Sequence, residues 1–170
     1  LHLISMVDGT QRALLHGAGL PTYAKTTARF SPDGHQIVLS TTTDNGYTFE
    51  LFLVGVDGSD YRQLTHLGGS ALDPQWSADG LRILFDFTPA PCYPEGAENR
   101  TTWVINADGS SPRQWPVALG DVSVQFGFPC ALSPSGASAA FTALDSTRTV
   151  GVLWTSALDG TRRYQLTTAY

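Results

Sequence analysis

The chain has 170 residues, of which 42% are hydrophobic, so it is long enough to build one domain with a substantial core. Its net charge of −5, with a single lysine and no cluster of arginines, argues against nucleic acid as a partner. No apolar run approaches the roughly 18 residues of a membrane-spanning helix, so we expect no membrane insertion. Seventeen glycines and ten prolines favour short strands and frequent turns.

The first segment, Leu1 to Met6, leads into an Asp-Gly pair at Asp8-Gly9. It has neither the basic flank nor the small-residue cleavage site of a signal peptide. Because it starts on Leu1 rather than Met, inside what proves to be a repeat, we expect a fragment or a processed product of a longer protein.

Asp-Gly pairs recur along the chain with their glycines 49, 51 and 51 residues apart. Apolar residues stand five positions before each Asp and seven positions after it. The first set is Leu3, Phe52, Trp103 and Trp154, and the second is Leu15, Leu64, Trp115 and Leu166. Since Asp and Gly accept the positive φ of tight turns, each pair predicts a β-hairpin.

A second motif alternates with the first: Phe30-Ser31-Pro32-Asp33-Gly34, Trp76-Ser77-Ala78-Asp79-Gly80 and Leu132-Ser133-Pro134-Ser135-Gly136. Apolar residues follow each of its glycines at the third and fifth positions, for example Ile83 and Phe85, which is the period-two pattern of a strand. Each repeat therefore contains four strands and two tight turns.

Repeats of about 50 residues with four short antiparallel strands are typical of β-propeller blades, which bury their apolar faces by stacking. We predict an all-β fold, a β-propeller with about three and a half four-stranded antiparallel blades and an incomplete ring. The strands of each blade are called a to d from the axis outward. The half blade, strands c and d, spans residues 1–16, and the complete blades 1, 2 and 3 span residues 24–67, 71–117 and 125–167.

The two motifs, together with Asp73-Pro74-Gln75-Trp76-Ser77, resemble the repeat of the TolB-like β-propellers over essentially the whole chain. The third repeat departs from the pattern, with Ser135 in place of Asp and Leu132 in place of Trp. The resemblance implies a binding or scaffolding module with a protein or peptide partner, in a periplasmic or extracellular location.

Blade 2 is longer than its neighbours. From the glycine of the Ser-x-x-Gly turn to the next Asp-Gly glycine, the three blades measure 24, 29 and 24 residues, and the additional residues lie between strands b and c, in 88–100. That connection lies at the same end of the blades as the links from strand d to the next strand a, and this end is here called the variable face. The tight turns lie at the opposite end, here called the turn face. By analogy of fold, we place partner binding on the variable face, with Asp44, Tyr47, Asp73, Tyr93 and Phe128 as candidates.

Cys92 and Cys130 both belong to variable-face segments of adjacent blades. They can form a disulfide, which would imply an oxidising compartment, or they can be two unrelated thiols. The four histidines lack metal-site spacing, the turn aspartates are explained by turn geometry, and no Gly-x-Ser-x-Gly motif is present. We expect no enzyme activity, no catalytic residue, no cofactor and no metal.

Two other functions are compatible with the sequence. The chain can be the propeller of a prolyl-oligopeptidase-type serine peptidase, which requires a separate catalytic domain, or a sugar-binding or lyase-type propeller, which would be stabilised by a metal.

An open series of blades exposes the apolar faces of its end blades. We therefore expect self-association of the isolated chain, unless blades from a longer parent chain cover these faces. Light scattering coupled to size-exclusion chromatography checks this expectation, and a stable monomer would contradict it.

Overall fold

The structure is a computed structural model that describes residues 2–14, 27–42, 48–89, 100–115, 123–124, 131–144 and 151–167. Within these ranges the protein forms fifteen strands and no helix, and all strand pairs are antiparallel. The same ranges accordingly contain no helix that could cross a membrane. The predicted all-β propeller fold with blade-like sheets is confirmed.

Four sheets follow one another along the chain. The half blade contains β1 (His2–Ile4) and β2 (Gln11–Ala13). Blade 1 contains β3 (Thr27–Phe30), β4 (Gln36–Thr42), β5 (Phe49–Gly55) and β6 (Arg62–Gln63). Blade 2 contains β7 (Ser70–Trp76), β8 (Arg82–Thr88), β9 (Thr101–Asn106) and β10 (Arg113–Gln114). Blade 3 contains β11 (Ser123–Val124), β12 (Ala131–Leu132), β13 (Ser138–Leu144), β14 (Gly151–Ala157) and β15 (Arg163–Gln165).

The innermost strand of blade 3 differs from the sequence-based expectation. It consists of two short pieces, β11 and β12, which both pair with β13. The first piece lies before residue 125, the expected start of the blade. Pairing of Ser123 with Leu144 therefore extends the sheet toward the variable face.

The Ser-x-x-Gly turns join strands a and b through one serine side chain. In blade 2 the Ser77 hydroxyl donates to the Asp79 carboxylate (2.5 Å) and accepts the amide of Arg82 (2.9 Å). The amide of Gly80 closes the turn on the Ser77 carbonyl at 2.9 Å, with Gly80 at φ 71°. A glycine suits this position because a left-handed conformation is costly for residues that carry a Cβ atom.

The sheets pack face to face because alternate residues of a strand point to opposite neighbours. In β8, Ile83 and Phe85 join a buried cluster with Leu53 of blade 1. Between them, Leu84 points the other way into a cluster with Phe141 of blade 3. A sheet that lies between two others, such as that of blade 2, is therefore buried on both faces. This burial supplies most of the hydrophobic stabilisation of a stacked-blade fold.

Burial at one repeated position reports whether a following blade is present. The residue just after the last ladder pair of strand d is 4% exposed at Leu64 and 4% exposed at Trp115, which both face a following blade. The equivalent Leu166 of blade 3 is 56% exposed. The outer face of blade 3 therefore remains open in the part of the chain that the structure describes.

The half blade is shifted by one residue relative to the sequence prediction. The Gly9 amide bonds to the carbonyl of Ser5, four residues back, whereas Gly58 bonds to Gly55, three residues back. Strand d also begins one residue sooner after the Asp-Gly pair: Arg12, four residues after Asp8, corresponds to Arg62, five residues after Asp57. Leu14, which is 5% exposed, is therefore the buried counterpart of Leu64. The predicted counterpart, Leu15, lies outside the described residues.

Arginines on strand d link successive blades. The Arg12 guanidinium donates to the carbonyl of Val56 in the next blade, and Arg62 donates to the carbonyl of Asp108 at 3.1 Å. Both acceptors lie in an Asp-Gly turn. These charge-assisted hydrogen bonds connect the outer edges of neighbouring sheets, where little apolar surface is available.

We expect Ser77→Ala to lower the free energy of unfolding by about 1–3 kcal/mol, because it removes a buried hydroxyl that bonds to a carboxylate and leaves the Arg82 amide without its acceptor. Urea unfolding measures the change. The matched control is Ser133→Ala in blade 3, whose hydroxyl is 3.3 Å from that of Ser135 and has no carboxylate partner in its turn. Equal losses in the two variants would contradict the assigned role of the carboxylate.

Candidate functional site

The aspartates of the Ser-x-x-Gly and Asp-Gly motifs are bound within their own turns. Each carboxylate is hydrogen-bonded to a hydroxyl-bearing residue two positions away, and this bond lowers the pKa of the carboxyl. The pairs are Asp33 with Ser31, Asp57 with Ser59, Asp79 with Ser77, Asp108 with Ser110, and Asp159 with Thr161. These carboxylates stabilise the turns through their Oδ1 atoms, as the sequence predicted.

Glu50, at the variable face of blade 1, also has a structural role. It is 5% exposed and accepts hydrogen bonds from the Thr65 hydroxyl and from the amides of Leu67 (2.9 Å) and Gly68 (3.2 Å). The carboxylate thereby fixes the link from blade 1 to blade 2. A Cβ atom on the next residue, Gly69, would lie 2.3 Å from the carbonyl oxygen of Thr88, so this link must run directly against strand b.

The variable-face end of blade 2 carries a different arrangement. Asp73 of strand a is exposed and has φ 50°, a conformation that few residues other than glycine adopt. The ladder with β8 is interrupted here, between Leu72 and Gln75, and Pro74 is buried. A bulge of this kind redirects a side chain, and at Asp73 the redirected group is a carboxylate.

Asp86 and Arg100 lie beside Asp73 and complete a mixed-charge cluster. The Nη1 atom of Arg100 is 4.0 Å from the Oδ2 atom of Asp86, and the two side chains are 24% and 17% exposed. Burial raises the pKa of Asp86 to about 6, and the negative charge of Asp73 raises it further, while Arg100 and a hydrogen bond with Thr102 act in the opposite direction. The blade 2 cluster, Asp73, Asp86 and Arg100, thus combines two carboxylates with one guanidinium.

Sequence reasoning identified Asp73 but missed Asp86 and Arg100. The available signal was the repeat itself, because Asp86 occupies the sixth position after the turn glycine, where blades 1 and 3 have Ser40 and Thr142. Ser40 is fully buried, and its hydroxyl donates to the carbonyl of Ala71 in the next blade at 2.6 Å. A carboxylate at this interior position breaks the repeat and marks blade 2 as different.

The other candidates named from the sequence, Asp44, Tyr47, Tyr93 and Phe128, lie outside the described residues. Cys92 and Cys130 lie outside them as well, so the disulfide stays a prediction. Within the described ranges, no three His, Cys, Asp or Glu side chains come together in a group that could hold a metal ion. The blade 2 cluster is therefore the part of the candidate face whose geometry is known.

We expect the Asp86 carboxyl to titrate near pH 6, with Asp73→Asn lowering its pKa and Arg100→Gln raising it. Carbon-detected NMR titration of the carboxyl measures both changes. Because the pKa is raised in the folded state, the protonated form stabilises the fold; this contribution is complete below the ordinary value of 3.8 and is lost as the pH rises through about 6. Asp57→Asn is the control, since Asp57 does not act on Asp86, and an Asp86 pKa below 4.5, roughly the usual range of a carboxyl, would contradict the burial argument.

No family model matches the chain, and no curated protein matches it in sequence. Solved structures do match. TolB from Acinetobacter baumannii superposes with a TM-score of 0.63 at 16% identity, over 98% of this chain and 37% of that one. A protein assigned as TolB from Agrobacterium tumefaciens gives 0.63 at 21% identity, over 87% and 51%. A structure from a study of two prolyl endopeptidases gives 0.65 at 15% identity, over 99% and 26%.

The chain thus spans about half or less of the length of the TolB structures it matches. At these identities the likeness concerns the fold, and it agrees with the repeat seen in the sequence and with the blade-like sheets of the structure. The chain is a β-propeller segment with a TolB-like fold.

Proposed function

We propose that the chain is a non-catalytic module that binds a protein or peptide, or serves as a scaffold, through its variable face. The observation that carries the proposal is the contrast between the two ends of the blades. At the turn face, the acidic side chains of the tight turns are hydrogen-bonded within their own turns. At the variable face of blade 2, the exposed carboxylate of Asp73 accepts no hydrogen bond from another described residue, and it lies beside the pair of Asp86 and Arg100.

Asp73 is the most accessible of these groups. No hydrogen bond joins its carboxylate to another described residue, and a positive φ holds the residue in a bulge. An uncommon backbone conformation at an exposed polar residue supports a functional role more than a packing role. A fixed carboxylate near a partly buried charged pair favours a partner that brings donor groups, such as the amides and cationic side chains of a polypeptide.

The composition of the blade 2 cluster fits a binding module better than a catalytic site. The cluster has neither a hydroxyl or thiol nucleophile nor a histidine base, and its guanidinium already neutralises one carboxylate. A periplasmic or extracellular location belongs to the same proposal and is supported by the resemblance of the repeat to TolB-like propellers. The likeness to a prolyl endopeptidase structure supports one alternative to this function, namely a propeller that controls access to a separate catalytic domain.

The test compares two exposed aspartates that share the same backbone conformation at opposite ends of blades. Asp73, at the variable face, has φ 50°, and Asp60, in the Asp-Gly turn region of blade 1, has φ 54°. We expect peptides selected from a randomised display library on the immobilised protein to bind Asp73→Lys at least about tenfold more weakly, which corresponds to roughly 1.4 kcal/mol. The Asp60→Lys control should bind them with unchanged affinity.

Isothermal titration calorimetry gives both affinities. Equal weakening by the two substitutions, or a loss confined to Asp60→Lys, would contradict binding at the variable face. Failure of the library to yield any peptide, together with specific binding of an isolated α/β-hydrolase domain, would favour the peptidase alternative.

A further inference from the structure

The sheet of blade 2 carries polar side chains on the side that faces blade 3, close to the variable face. Residues that pair directly across an antiparallel sheet share one side of it, and so do residues two positions apart on a strand. Asp86 therefore lies on the same side as Leu84, which packs against blade 3. Five polar or charged residues share that side: Ser70 of β7, Asp86 and Thr88 of β8, Arg100 just before β9, and Thr102 of β9.

The matching side of blade 1 is apolar at the same level. The residues that correspond to Arg100 and Thr102 are Phe49 and Leu51, which are 7% and 0% exposed. Hydrophobic contact thus closes the interface between blades 1 and 2 at this level. Blade 2 has charged and hydrogen-bonding groups instead, and such groups are costly to bury unless they find partners.

These groups of blade 2 are only partly satisfied. The Nη1 atom of Arg100 and the Oδ2 atom of Asp86 are 4.0 Å apart, which is too long for a hydrogen bond. The Nε atom of Arg100 is buried and has no partner, so the two residues do not form the bidentate pair that arginine and carboxylate often adopt. The hydroxyl of Ser70, a residue with 0% exposure, has no partner among the described residues either. A buried hydroxyl of this kind indicates a missing partner.

The charges of the blade 2 cluster favour a positively charged partner group. Two carboxylates, of Asp73 and Asp86, face one guanidinium, of Arg100. Burial and, after it, the negative charge of Asp73 raise the pKa of the Asp86 carboxyl, so the two carboxylates act on each other. A positive group between them would relieve this repulsion. Exposure falls from Asp73 at the surface, through Arg100 and Asp86, to the buried Ser70, so a long side chain would have to bring that group in from solvent.

We infer that Asp73 and Asp86 bind the guanidinium group of an arginine side chain of the partner polypeptide, which enters beside Arg100 and points toward Ser70. The inference rests on the proposed function and specifies the residue that the variable face recognises. A guanidinium has five donors in a planar fork, so it can donate to two carboxylates and a hydroxyl together. An ammonium is a more strongly hydrated point charge and loses more on partial burial.

A metal ion fits this site less well than a guanidinium. Within the described ranges, no three His, Cys, Asp or Glu side chains form a group that could hold one. The positive charge of Arg100 would also repel a divalent ion about twice as strongly as a singly charged group at the same distance.

The direct probe is N-acetylarginine amide, a single arginine without charged termini, added to the full chain and followed by carbon-detected NMR. We expect the carboxyl signals of Asp73 and Asp86 to shift and to saturate. N-acetylcitrulline amide, which has nearly the same shape without the charge, should shift neither signal. The signal of Asp60, an exposed aspartate with a similar backbone conformation at the turn face, should stay unchanged. Equal shifts with the two amides, or equal shifts at Asp60 and Asp73, would overturn the inference.

Protein variants locate the contact. Asp73→Asn and Asp86→Asn each remove one carboxylate with almost no change in size, and each should weaken binding of N-acetylarginine amide at least about threefold. Asp60→Asn should leave the affinity unchanged. Unchanged affinity in both Asp73→Asn and Asp86→Asn would place the arginine elsewhere and overturn the inference.

Peptides selected by display separate this inference from the proposed function. A selected peptide whose binding depends on Asp73 should lose at least about tenfold in affinity when one particular arginine is replaced by citrulline. Peptides that depend on Asp73 but need no arginine would overturn the inference and leave the proposed function standing. Failure to select any peptide would count against the proposed function, and the titration with N-acetylarginine amide would still decide whether the carboxylates bind a guanidinium.

Discussion

Face-to-face packing of the sheets is the interaction on which the rest of this structure depends. A four-stranded sheet such as β3–β4–β5–β6 has an apolar residue at alternate positions on both faces, and it cannot cover either face by itself. Phe85, which is 1% exposed, is buried because blade 1 lies against it, and Leu84 is buried because blade 3 lies on the other side. The stability of one blade is therefore inseparable from that of its neighbours.

This packing determines where chemistry can be placed. Strand interiors are committed to apolar contacts, so charged groups are confined mainly to the two ends of the blades. At one end the carboxylates hold the turns, as Asp79 does through Ser77 and the amide of Leu81. At the other end Asp86 extends charge into the interior, and burial raises the pKa of its carboxyl to about 6. Its ionised form lowers stability, and such a cost is a common mark of a functional position.

The sequence was sufficient to predict the strands and turns, because the same pattern of turn residues and apolar residues recurs in each repeat. Serine and glycine at fixed spacing, followed by alternating apolar residues, leave few structures other than a hairpin. The bulge at Asp73 was not predictable, since it depends on how Pro74 packs within the sheet. The one-residue shift of the half blade was missed for a related reason: strand d begins one residue sooner after Gly9 than after Gly58, which changes the leucine that is buried, and spacing alone does not show it.

Charge interactions were the least predictable part of the site. Asp86 and Arg100 are 14 positions apart, and only the pairing of β8 with β9 brings their side chains to 4.0 Å. The arginines that join blades illustrate the same limit, because Arg62 and its acceptor Asp108 are 46 positions apart. A repeat alignment shows which positions differ between blades, but it does not show which of them meet across an interface.

The burial of Leu64, Trp115 and Leu166 at one repeated position has a consequence for how the chain opens. Leu64 and Trp115 are covered and Leu166 is not, so β15 is held to its sheet with less buried area than β6 or β10. In a linear array, opening starts at the unit with the fewest neighbours and proceeds inward one interface at a time. Within the described residues, blade 2 packs against a complete blade on each face, so we expect it to open last, and the candidate binding cluster lies on this blade.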